Sequence, residues 1–197
     1  MPLPPKGEVT CPLAPTAHAR RSFDASLLNS DLHAAVASDH PRHAGGTGRC
    51  LAARHVSTGD ALGYVFGYTA CNDVSARDAQ FADGQWIRGK SFDTFCPLGP
   101  WIVTADEIPD PQSLAVRCYV NGTVLQDGTT REMVFSVAEL VSYLSRVMTL
   151  EPGDVIATGT PYGVGFARQP PVYLLQDDVV EIEIEGIGRL RNRVVVD

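Results

Sequence analysis

At 197 residues, with 44% hydrophobic and 20% charged side chains, the chain has the make-up of a globular protein able to bury a real core. A formal net charge of −7 excludes nucleic acid as the default partner, because a phosphate polyanion calls for a dense basic surface. Five cysteines scattered without a C-x-x-C pair argue against a zinc site or a secreted disulfide framework. The expectation is reduced thiols in a cytoplasmic protein, with no apolar run suited to a signal peptide or a membrane span.

In chain order, residues 1–15 hold five prolines (Pro2, Pro4, Pro5, Pro12, Pro15), which oppose helix and sheet alike. Ser26 to Ala37 reads as one short helix, and residues 40–50 read as a glycine-containing loop. A seam near Arg54 therefore divides a divergent, loosely ordered segment, residues 1–53, from a patterned domain, residues 54–197. Ser57 to Asp60 has the form of a capping box ahead of a helix. Phe66 to Val74, rich in aromatic and β-branched residues, reads as a strand.

Leu114 to Val120 alternates and then meets Asn121-Gly122, a strong hairpin signal. Ser136-Val-Ala-Glu139 is a second capping box, opening a helix with Val137, Leu140, Val141, Leu144, Val147 and Met148 at helical spacing. Pro152-Gly153-Asp154 turns into a strand at Val155-Ile156-Ala157, and Val179 to Val196 reads as a closing hairpin about Ile187. Many short strands with one or two helices, and no regular βαβ alternation, give a β-rich α+β fold.

Three segments can carry chemistry. Asn72-Asp73-Val-Ser-Ala-Arg77-Asp78-Ala-Gln80 follows an apolar strand, and a carboxylate at a strand end suits a hard cation such as Mg²⁺. On spacing alone, Asp73, Arg77 and Asp78 are better explained as a turn with a structural ion pair. Lys90, in Trp86-Ile-Arg-Gly-Lys90, can hold a substrate carboxylate or an enolate, although any single lysine is more often a solvated one. Thr158-Gly-Thr160-Pro-Tyr-Gly can present backbone N–H groups and the Thr160 hydroxyl to an anion, although most such loops are only turns.

Taken in order, G-Y-T-A-C-N-D-V-S-A-R-D-A-Q, W-I-R-G-K-S-F-D-T-F-C-P-L-G-P, V-N-G and L-E-P-G-D-V-I-A-T-G-T-P-Y-G-V-G resemble the fumarylacetoacetate hydrolase family. The likeness is strongest to the bacterial branch of 2-oxo-hepta-diene-dioate isomerases, hydratases and ureidoglycolate lyases, and runs from about Arg54 to Asp197. It implies a C-terminal-type β-roll of mixed strands with few helices, a homodimer, and a Mg²⁺ or Mn²⁺ ion. By the same resemblance Asp73 is a metal ligand, Lys90 is the catalytic lysine, and Gln80 and Thr160 bind substrate. The implied chemistry is hydrolysis, lysis or isomerisation of a small 2-oxo acid of the acylpyruvate or diene-dioate type, by metal chelation and enolate stabilisation.

The chain departs from the pattern in two respects. The family carries a Glu-x-Glu pair on a strand just before the helix expected near Ser57, yet residues 40–59 contain no Asp or Glu. Glu181-Ile-Glu183-Ile-Glu185 has the right spacing but reads better as a charge-paired strand face, with Glu185, Glu183 and Glu181 opposite Arg189, Arg191 and Arg193. The family's catalytic histidine, followed three residues later by glutamate, finds only a faint match at His33, since Val36 replaces the acid. A second reading follows: a catalytically impaired family member with an incomplete metal site, acting as a binding or dimerising module.

Overall fold

A computed structural model describes residues 16–19, 25–26, 30–36 and 52–196. The proline-rich start and the loop expected at 40–50 lie outside the described residues. The strands are β1 (Thr16–Ala19), β2 (Ala25–Ser26), β3 (Ser30–Val36), β4 (Gly67–Asn72), β5 (Ser75–Ala76), β6 (Leu98–Thr104), β7 (Ala115–Val120), β8 (Thr123–Thr129), β9 (Asp154–Ala157), β10 (Val179–Ile184) and β11 (Gly188–Val196). The two α-helices are α1 (Arg77–Phe81) and α2 (Val137–Val147). The β-rich α+β architecture expected from the sequence is the one observed.

Two sheets carry the fold. One has the order β1-β11-β10-β7-β8, the other β6-β4-β3-β9, and β2 pairs with β5 separately. β10 and β11 pack against β4 and β6, so the inward residues of both sheets share one core. Tyr68 and Ala70 from β4, Val103 from β6, Val116 from β7, Ile182 and Ile184 from β10, and Leu190 from β11 are all buried there. α2 closes one side through hydroxyls: Ser142 Oγ donates to the Val56 carbonyl at 2.8 Å, and Val56 N–H donates to Ser145 Oγ at 3.0 Å.

Local signals with a single physical meaning appear where expected. Ser136 and Glu139 form the full capping box of α2. Asn121 and Gly122 take φ of 51° and 79°, the left-handed pair that a two-residue hairpin turn between β7 and β8 requires. Three expectations are corrected. Ser26 to Ala37 is not a helix, because residues 30–36 are paired on both sides, by β4 and by β9, and that long-range pairing outweighs a weak helical pattern. The helix expected after Ser57 shortens to a 3₁₀ turn at Ala61–Tyr64, with Ser57 Oγ bonded to Asp60 Oδ2 at 2.7 Å. The last hairpin turns about Gly186 (φ 76°) rather than Ile187, so Glu183 faces Arg189 and Glu181 faces Arg191, two positions from the expected register. Glu185 instead accepts from the Ala115 N–H at 3.0 Å.

Candidate active site

Strand directions bring the three chemistry-bearing segments to one end of the β6-β4-β3-β9 sheet. β3 runs antiparallel to both β4 and β9, so β4 and β9 leave the sheet at the same end. Asp73 follows β4 there, and Thr158-Gly159-Thr160 follows β9. β6 is antiparallel to β4 and enters at that end, where Leu98 lies opposite Cys71, directly after the segment that holds Lys90.

Asp73 and Lys90 form an ion pair, with side chains 17% and 26% exposed. Lys90 closes a 3₁₀ turn, Trp86–Lys90, that presses on α1. The preceding Gly89 makes that approach possible: a Cβ there would lie 2.6 Å from both the Ala76 carbonyl oxygen and Gln80 Cβ. The glycine in Arg-Gly-Lys is thus a packing requirement of the lysine's position.

Arg77 and Gln80 are the buried polar pair of α1, at 8% and 0% exposure. Arg77 Nη1 donates to Gln80 Oε1 at 2.7 Å, and the guanidinium lies 4.1 Å from the centroid of the Phe166 ring. Burial pulls the Arg77 pKa down, against the opposing pull of the Asp73 carboxylate and Tyr173. Arg77 Nε and Nη2, Gln80 Nε2 and Asn72 Oδ1 have no hydrogen-bond partner among the described residues. Buried donors of this kind call for a water, an ion or a ligand. Arg77, read from spacing as half of a structural ion pair, is therefore the residue that sequence reasoning undervalued; its burial was the missing signal.

Thr160 is exposed, and its Oγ1 accepts from Gln126 Nε2 at 3.0 Å, which leaves its O–H to donate. Gln126 also donates to the Pro161 carbonyl at 2.7 Å, stitching the loop to β8. A cleft of about 420 Å³ opens beside this loop, lined by Thr158, Gly159, Thr160, Glu132, Phe135 and Tyr162 among others. Asp73, Lys90 and Gln80 do not line it. The cleft is a neighbour of the ion pair's end of the sheet, not centred on it.

Asp73 is a residue available for a divalent cation at this end of the sheet. Among the described residues no three His, Cys, Asp or Glu side chains converge as a closed metal site would need. β3 is the strand inserted between β4 and β9, and it places Asp31 opposite Cys71 and His33 opposite Thr69.

The model for the C-terminal domain of fumarylacetoacetate (FAA) hydrolase matches residues 47–195. The chain belongs to the fumarylacetoacetate hydrolase family. It is 50% identical over 143 residues to the mitochondrial oxaloacetate tautomerase Fahd2a of Rattus norvegicus, a match covering 72% of this chain and 46% of the relative. A 2-hydroxyhepta-2,4-diene-1,7-dioate isomerase from Mycobacterium marinum superposes with a TM-score of 0.78 at 41% identity, over 93% of this chain and 64% of the other. A maleylpyruvate hydrolase from Sphingobium sp. SYK-6, solved with manganese(II) and pyruvate, superposes with a TM-score of 0.73 at 33% identity, over 92% and 60%. This chain spans about half the length of the curated relatives it matches. Members of the family are enzymes acting on small acids, hydrolases, isomerases and tautomerases among them. Among the described residues no helix is long and apolar enough to cross a membrane.

Proposed function

We propose that the chain acts on a small 2-oxo acid by promoting or reversing enolisation, with Mg²⁺ or Mn²⁺ held at the end of the β6-β4-β3-β9 sheet. The observation that supports this most is the convergence of Asp73, Lys90 and Thr158-Gly159-Thr160 at that one end, beside the buried Arg77. Asp73 would hold the cation, at the end of β4. The cation, when bound, polarises the 2-oxo group and orients the neighbouring carboxylate.

The protein's own groups then act on charge. Lys90 and Arg77 bring two cations to where a 2-oxo acid carries its carboxylate and gathers negative charge on oxygen. Gln80 Nε2, buried and without a partner among the described residues, adds a fixed neutral donor, and the Thr160 O–H adds another from the loop after β9. Preorganised donors count for more in a half-buried site than in water, because they need no reorientation as charge develops. Lys90, bonded to Asp73 in this structure, is also placed to exchange a proton with a carbon acid once the aspartate is engaged elsewhere.

The division into residues 1–53 and a catalytic unit from residue 54 is kept as part of this reading, with the qualification that β3 of the first part belongs beside the site. Exposed Val134, Phe135 and Tyr162, which line one cleft, support a homodimer, since grouped apolar side chains favour a partner. The scattered cysteines support a cytoplasmic setting. The second reading, an impaired member acting as a binding or dimerising module, is favoured by one observation: among the described residues no three His, Cys, Asp or Glu side chains group as a metal site would need. Calorimetric titration with Mn²⁺, with and without Asp73→Asn, separates the two. Stoichiometric binding weakened by the substitution supports the catalytic reading, and no heat of binding to the wild-type chain supports the module.

A further inference from the structure

We propose that Cys71 and Cys96 form a reversible intramolecular disulfide that clamps the loop bearing the candidate site. Their sulfur atoms lie 3.3 Å apart. Cys71 is buried on β4, and Cys96 is exposed, just before β6. Cys71 lies opposite Leu98, so Cys96 stands two residues before its cross-strand partner. Thr94 and Cys96 both take left-handed backbone (φ 65° and 60°), which turns the end of the loop back toward β4. Closing the contact to a bond length of about 2.05 Å asks for a shift of roughly an ångström in a segment outside any strand.

The two cysteines bracket residues 72–95, which hold Asp73, Arg77, Gln80, Gly89 and Lys90. A bridge therefore joins the two ends of the loop that carries the catalytic candidates, leaving the sheet pairing of β4 with β6 in place. The remaining described cysteine gives a contrast: Cys118 is buried on β7, and burial pushes its thiol up to about 12, so it stays protonated and unreactive.

The oxidant is a low-molecular-weight disulfide such as oxidised glutathione. The exposed Cys96 sulfur attacks it, forming a mixed disulfide and releasing one glutathione. The Cys71 sulfur then attacks the Cys96 sulfur, releasing the second glutathione, and the two cysteine protons leave with the two departing thiols. Two protein thiols are oxidised and one glutathione disulfide is reduced, so electrons and atoms balance.

The test uses the full chain in oxidised glutathione, followed by alkylation, intact mass and non-reducing peptide mapping. Alkylatable thiols should fall by two from the five in the sequence, with a linked peptide joining Cys71 and Cys96, and dithiothreitol should restore them. In Cys96→Ser, an exposed position, Cys71 should stay alkylatable. Glutathione retained on Cys96, or either cysteine linked elsewhere, would overturn the bridge. Hydrogen exchange across residues 86–95 should slow several-fold on oxidation; unchanged exchange in the bridged chain would overturn the clamp. Neither readout uses turnover, so the inference stands or falls apart from the catalytic reading.

Discussion

Two clusters of opposite charge in this molecule look alike on paper and differ in what surrounds them. On the β10–β11 ribbon, Arg189 pairs with Glu183 and reaches Glu181 at 3.5 Å, while Arg191 reaches Glu181 at 3.7 Å. Arg189 also lies 4.7 Å from the Tyr119 ring centroid. The arginines there are 45% and 66% exposed, and strand alternation alone brings the charges together. At the end of β4, Asp73 pairs with Lys90 beside an arginine that is 8% exposed, with four buried polar atoms lacking partners among the described residues. The ribbon needs no ligand to explain it. The β4 end holds desolvated charge whose donors exceed its acceptors, and that excess is what marks a site.

The comparison can be broken most easily at its strong end. Asp73→Asn should lower turnover of a 2-oxo acid by about 10³-fold or more, because it removes the carboxylate that pairs with Lys90 and would hold the cation. A smaller effect, roughly 10²-fold on kcat, is expected for Arg77→Met, with the thermal midpoint recorded beside it. If the midpoint falls but turnover per folded molecule does not, Arg77 is only a packing residue. Gly89→Ala should come next: overpacking against Ala76 and Gln80 costs about 1–3 kcal/mol in a denaturant titration and displaces Lys90. At the weak end, Glu183→Gln on the ribbon should change stability by less than about 1 kcal/mol, since exposed pairs are screened, and should leave turnover unchanged. A loss of activity there would erase the distinction between the two clusters.

Much of this was legible in the amino-acid order, where the signals are local. The capping box of α2, the Asn121-Gly122 turn and the Asp73, Lys90 and Thr160 motifs each depend on residues close in sequence. What depends on distant partners was not. Residues 30–36 are a strand because β4 and β9 bond to both of their edges, and nothing in Ser-Asp-Leu-His-Ala-Ala-Val announces those partners. The two-position slip of the last hairpin turned on which residue adopts the left-handed conformation; Gly186 does so with no Cβ to object, and Ile187 is buried instead. The Cys71–Cys96 contact spans a whole loop and was equally invisible.

The most direct test of the central claim is the keto–enol interconversion of oxaloacetate, followed by ultraviolet absorbance for the wild-type chain and Asp73→Asn, each with chelator and with Mn²⁺ restored. Wild-type turnover should be abolished by chelator and returned by Mn²⁺, and Asp73→Asn should show none under either condition. Asp73→Asn working at the wild-type rate, or a wild-type chain with no chelator-sensitive turnover, would contradict the claim.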